Sequence, residues 1–256
     1  MIEKTKRDGP PDYRSYHFTP MEYVTTLLVA VCFFYALGLL FYSHPIPALV
    51  LCPAAFLVIP LRKKELARKR QEALNLHFKD ALYYLSVSLS AGKSLEQGLL
   101  ETQKVLESIY PAKTSDLTAE LAWMNRRISM SETVEAVFYD LAQRSGVEDI
   151  KSFADVLTIT RRAGANLMEV IKNTSTTIRE KVEIRHDIAT MLASKKLEQH
   201  IMGVTPLVLI FLLKTMSGEF MEPLMTTLQG RLIMTAALGL IAAGYALSKK
   251  IMSIDV

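Results

Sequence analysis

Tyr23 to Tyr42 is a run of twenty residues without one charged side chain. A helix needs about 20 apolar residues to cross the hydrocarbon of a bilayer, so this run predicts a membrane span. A second apolar run, Ile46–Leu61, follows almost at once and leaves no polar mature sequence between them. The first run is therefore expected to be retained rather than cleaved as a signal peptide. Half of the chain is hydrophobic and the mean hydropathy is +0.20, but the apolar residues crowd into the two ends. From Arg62 to His200 charged and apolar residues alternate, which separates a folded middle from two membrane regions.

The second run carries Pro47, Pro53 and Pro60 and can either span with a kink at Pro53 or dip in and return; spanning is the favoured reading, and the Ser43-His44-Pro45 stretch is then the outer turn. A third run, Ile201–Met216, holds Pro206 and one charge, Lys214, whose stem is expected to snorkel to the interface. The fourth, Leu232–Leu247, places Gly239 one turn before Ala243 and Gly244 one turn before Ser248, a spacing that lets membrane helices approach closely. Cys32 and Cys52 lie inside apolar runs and read as small hydrophobes.

Orientation follows from the basic residues beside the spans. Lys4, Lys6, Arg7 and Arg14 precede the first; Arg62, Lys63, Lys64, Arg68, Lys69 and Arg70 follow the second; Lys195 and Lys196 precede the third; Lys249 and Lys250 end the fourth. Four crossings put all of them on one side. The other side receives the His44 turn and a loop from Ser217 to Gly230 with Glu219 and Glu222. The expected layout is a cytosolic tail (1–21), a hairpin of spans (22–61), a cytosolic helical domain (62–200), a second hairpin (201–248) and a cytosolic tail (249–256). The basic clusters themselves read as topology signals and lipid-headgroup contacts.

In the middle domain the hydrophobic period is helical throughout. Stripes at Phe78-Leu82-Leu85-Leu89, Leu95-Leu99-Leu106-Ile109, Leu117-Leu121-Met124-Ile128, Val134-Val137-Phe138-Leu141, Ile150-Phe153-Leu157 and Leu167-Ile171-Thr174-Ile178 predict six amphipathic helices in an all-α bundle. Gly92 and Gly164 stand where helices should stop, and Ser94 with Gln97, like Asn166 with Glu169, where capped helices should start. Pro111 and Gly146 mark two further breaks. Ala91-Gly92-Lys93-Ser94-Leu95 overlays Ala163-Gly164-Ala165-Asn166-Leu167, with Phe78 over Ile150 and Leu85 over Leu157, which predicts internal duplication. The last helix is expected to continue unbroken from Asn166 toward the third span, with no Gly or Pro before Gly203.

No Gly-rich phosphate loop, nucleophile elbow or zinc-protease helix is present, and no cofactor or catalytic residue is expected. Glu183 with His186 has the Glu-x-x-His spacing of di-iron bundles, but such sites need two pairs and two more Glu. These residues, His77 and His200 read as solvated helix faces. Arg126-Arg127 and Arg161-Arg162 each end a predicted helix, where cations complement the dipole; the alternative is an acidic partner. Nucleic acid is not expected, because few aromatics accompany the basic clusters. A small transporter or channel, with Lys214 and the broken spans as its working parts, is the competing functional reading.

Three segments, "LYYLSVSLSAGKSLEQGL", "FADVLTITRRAGANLMEVI" with the following "IREKVEIRHDIATMLASKKLEQHIMGVTPLVL", and "EPLMTTLQGRLIMTAALGLIAAG", resemble the type II secretion system F-domain family. Within it they are most similar to the tight adherence (TadB/TadC-like) pilus platform proteins. The resemblance implies an inner-membrane platform that binds a cytoplasmic secretion ATPase, engages pilin subunits, and pairs with itself or a sister platform protein. It implies no enzymatic activity, since the energy would come from the partner's ATP, and on that reading Arg126, Arg127, Arg161 and Arg162 would contact the ATPase. In one corner the chain departs from the family, reading Ile128-Ser129-Met130-Ser131 where a Gly-Ser pair is common.

Overall fold

The computed structural model describes residues 10–16, 18–42, 45–110, 115–163 and 166–252. Lys4, Lys6, Arg7, Ser43, His44, Pro111, Gly164 and Ala165 lie outside them, as do the side chains of Pro47, Leu167, Glu219 and Lys249. The described residues are mostly helical, with turns and irregular backbone at 10–16, at 18–19 and at the corners, and no strand among them. The helices are α1 (Pro20–Tyr42), α2 (Pro45–Leu51), α3 (Ala55–Ser90), α4 (Leu95–Ile109), α5 (Asp116–Ser129), α6 (Val134–Ser145), α7 (Glu148–Ala163), α8 (Leu167–Met216), α9 (Gly218–Thr226) and α10 (Leu228–Met252). The chain divides into two compact units.

The first unit combines the described part of the Met1–His17 tail with Lys63–Ile184. Its core takes Leu74, Phe78, Leu82 and Leu85 from α3, Leu99 and Leu106 from α4, Leu117 and Met124 from α5, Val137, Phe138 and Leu141 from α6, Ile150, Phe153 and Leu157 from α7, and Ile171 and Ile178 from α8. Phe153 stands edge-on to both Phe78 and Phe138, with ring centres 5.7 and 5.0 Å away. Phe78 and Ile150 are both buried, as are Leu85 and Leu157, so the two overlaid sequence stretches face the core in the same register.

Cross-helix bonds give the directions. Asp80 meets Tyr110 and Ser88 meets Glu101 between α3 and α4; Asn125 reaches Leu99 and Gln103 from α5; Arg127 and Arg144 bind across α5 and α6; Arg161 meets Glu135 between α7 and α6; Asp149 meets Lys181 between α7 and α8. Each helix therefore runs opposite to the one before it. One end of the bundle holds Arg70, Asp116, Ser145 and Lys181; the other, distal end holds the corners after α3, α5 and α7.

The corners show why the helices stop where they do. Gly92 has φ +84°, its N–H donates to Leu89 O, and Lys93 N–H donates to Ser88 O, the paired bonds of a left-handed C-terminal stop. The same two bonds end α5, from Ser131 to Ile128 O and from Glu132 to Arg127 O, yet the left-handed position there is Ser131 at φ +70°. The corner that departs from the family pattern thus keeps the geometry and carries the strain of a side chain. Ser131→Gly should raise stability by about 0.5–1 kcal/mol, read as a higher denaturation midpoint of the detergent-solubilised protein; a lowered midpoint would refute the strain. Ser94 Oγ accepts from Gln97 N–H, Thr133 Oγ1 from Ala136 N–H and Asn166 Oδ1 from Glu169 N–H, capping α4, α6 and α8.

The second unit combines Phe18–Arg62 with Arg185–Val256. Among the described residues, Pro20–Tyr42, Met168–Met216 and Leu228–Ser248 are helices long and apolar enough to cross a membrane. The Ile46–Leu61 run is divided between α2 and α3 by a 3-10 turn at Cys52–Ala54. Pro53 inside that turn has no N–H to give and crowds the preceding carbonyl, so the expected kink is a full break in the α-helix. α8 passes Gly203 and Pro206 without interruption.

Ser217–Gly230, expected as a loop, is mostly helix: α9 turns Met221 and Met225 inward against Phe41 and Met234. Its apolar face is what the loop reading overlooked, because two glutamates dominate the stretch. Gly230 permits the tight α9–α10 joint, since a Cβ there would sit 2.5 Å from the Leu224 backbone. Gly239 and Gly244, expected to admit a close neighbour, have nothing within 4 Å of a built Cβ, and it is Gly203 that meets a ring, that of Tyr245.

Candidate partner-binding site

The two arginine pairs stand at the distal end, in the last turns of α5 and α7. α6 begins at the same end, and one arginine of each pair reaches α6 or the corner before it. One member of each pair is committed within the bundle. Arg127 sends Nε and Nη2 to the two oxygens of Glu132, at 2.6 and 2.5 Å, and Nη1 to Asp140 at 2.8 Å. Arg161 Nη1 lies 2.8 Å from Glu135 Oε1. The Glu132 carboxyl is held below the usual carboxylate range, first by its hydrogen bonds from Arg127. These contacts fasten α5 and α7 to α6.

Arg126 and Arg162 are the other members. Both are exposed, and neither has a carboxylate partner among the described residues. Each stands in the last turn of its helix, where the dipole favours a cation and the guanidinium is free to take an incoming carboxylate. Met130, 72 % exposed at the corner beside Arg126, adds an adaptable apolar contact. It had no signal in the sequence, because one methionine between serines breaks no period.

The opposite end holds a network that the basic runs concealed. Arg70, in a cluster read as lipid-facing, grips Asp116 with Nε and Nη2 at 2.6 and 2.7 Å and lies over the Tyr13 ring. Arg144 grips Glu120, fully buried, at 2.6 and 2.7 Å and reaches Asp140 at 3.0 Å. Tyr13, only 1 % exposed, donates its N–H to Arg144 O. Burial first, then the Glu120 charge and hydrogen bond, push the Tyr13 phenol above the ordinary tyrosine range, so it remains neutral. The segment around Tyr13 is thus part of the bundle rather than a free tail.

The histidines divide. His186 and His200 are exposed, as read from the sequence, but His77 is half-buried. It stacks on Tyr110 at 4.2 Å with Nδ1 3.0 Å from Ser115 Oγ, and burial lowers its pKa. His77 adjoins the buried stripe at Phe78, and the Tyr110 ring and Ser115 cover it from across the bundle. Glu183 pairs with Arg179 at 3.0 Å, and no cluster of three or more His, Cys, Asp or Glu among the described residues could hold a metal.

Residues 81–213, from inside α3 into the apolar part of α8, match the family described as Type II secretion system (T2SS), protein F. The chain belongs to the type II secretion system protein F family. No curated protein and no solved structure matches it. Membership places it among inner-membrane platform proteins related to type II secretion and type IV pili. The protein F match takes in both arginine pairs and the whole distal end, and its long apolar helices agree with a membrane protein.

Proposed function

We propose that this chain is the inner-membrane platform of a tight adherence, type IV-like pilus machine. The protein F match over residues 81–213 carries the reading, and the similarity of the three quoted segments to TadB/TadC-like proteins supports its branch. The bundle and both termini are cytosolic, the bases flanking the spans being the support, and the bundle is an internal duplication. A cytoplasmic secretion ATPase docks on the distal end through Arg126, Met130 and Arg162. The chain performs no chemistry itself. Motion of the bundle passes into the bilayer through α8, which helps lift pilin subunits out, and the platform works as an oligomer with itself or a sister protein.

Binding of the purified ATPase to the full-length platform in detergent tests the docking face. The double variant Arg126→Glu/Arg162→Glu should bind about a hundredfold more weakly or worse, since each of the two lost charge-assisted contacts is worth roughly 1.5–3 kcal/mol, while its melting temperature stays put. Arg127→Glu should instead lower the melting temperature, because Glu132 loses its cation and Asp140 one of its two. Undiminished binding by the double variant would move the docking face elsewhere; no binding by the unaltered protein would remove the coupling.

A further inference from the structure

Lys214 is a cation in an apolar setting that has no carboxylate partner among the described residues. It lies two residues before the end of α8, and its Nζ donates to Leu39 O at 2.8 Å. Leu39 stands in the last turn of α1, so one of the three ammonium hydrogens is given to a carbonyl at the end of a neighbouring helix. No carboxylate among the described residues pairs with the other two. The side chain crosses to a neighbouring helix and lies in a groove between them.

The groove has a volume of about 660 Å³ and is lined by Phe33, Ala36 and Leu40 of α1 and by Leu207 and Phe211 of α8, with Lys214 at one end. That volume falls in the range of small-molecule sites. A partner helix about 10 Å across would fill it in under two turns, whereas a flexible alkyl chain can lie along it. The cation stands at the ends of two helices long and apolar enough to cross a membrane, and a cation at the end of such helices is retained where a partner neutralises it.

We propose that this groove binds one anionic phospholipid, its phosphate on the Lys214 ammonium and one acyl chain along Phe33–Leu40. The charge selects the headgroup and the lining residues hold the tail. Binding closes the α1–α8 seam with a molecule drawn from the bilayer itself, independently of which machine the platform serves.

Native mass spectrometry of the full-length protein released from detergent tests this, with phosphatidylglycerol and phosphatidylcholine of identical chains as probes. The unaltered protein should retain one phosphatidylglycerol in preference to phosphatidylcholine. Lys214→Gln should retain it roughly tenfold more weakly, the loss expected for hydrogen bonds to a charged group, and Lys214→Arg should keep it. Ala36→Trp, which fills the groove at an exposed position and leaves the ammonium in place, should lose both lipids. Equal retention of the two lipids by the unaltered protein, undiminished phosphatidylglycerol on Lys214→Gln, or full retention by Ala36→Trp would overturn the proposal. So would stabilisation by an apolar helical peptide carrying one carboxylate when phosphatidylglycerol gives none, since that outcome assigns the groove to a protein.

Discussion

Tyr13→Ala should destabilise the helical bundle by about 3–4 kcal/mol, the range for removing a large aromatic from a packed core. Tyr13 is buried to 1 % among core residues, carries Arg70 4.7 Å above its ring, and bonds through its N–H to Arg144 O. Truncation removes the ring's packing and the cation–π contact together. Tyr13→Phe keeps both and gives up only the phenol beside Glu120, so it should cost about 1–2 kcal/mol. Chemical denaturation of the full-length protein in detergent separates the two variants. A Tyr13→Ala protein that melts like the unaltered one would show that the tail does not belong to the bundle.

Arg144→Ala should cost still more, about 3–5 kcal/mol, because it strands a carboxylate that water cannot reach. Glu120 is fully buried and takes both of its close charged bonds from Arg144, and Asp140 loses one of two cations. The double variant Glu120→Ala/Arg144→Ala should be less damaged than Arg144→Ala alone, since removing both partners leaves no uncompensated charge. The order of the two midpoints decides the matter: a double variant weaker than the single one would mean that the pair acts through packing and not through desolvated charge.

Much of this architecture was legible because helices advertise themselves by period. The stripe from Phe78 to Leu89 and most members of its counterparts name residues that the core does bury, Ile109 at the end of α4 being an exposed exception, and Ser94-Gln97 and Asn166-Glu169 form the caps their spacing foretold. Apolar runs announce spans because the bilayer sets a length. What lacked a period was hidden. Tyr13 is one aromatic in a polar, proline-bearing tail, and nothing local distinguishes it from an exposed residue. Arg70 sits among six bases whose collective meaning is orientation, so its individual bond to Asp116, 46 residues away, had no signal. The arginine pairs were found as pairs, but which member is committed depends on Glu132 and Glu135 lying across a corner. Ser131 shows the limit of motif reading from the other side, since a missing glycine did not mean a missing turn.

Six helices of alternating direction have a consequence of parity. An even number of passes returns the chain to the end at which it entered, so Lys63 and Ile184 share that end and the far face is built from turns alone. Lengthening or rewriting the corners at Gly92, Ser131 or Asn166 changes what an incoming protein would read without shifting where the chain enters and leaves. The turns at the far face are thereby free to change without moving the points at which the chain enters and leaves the bundle.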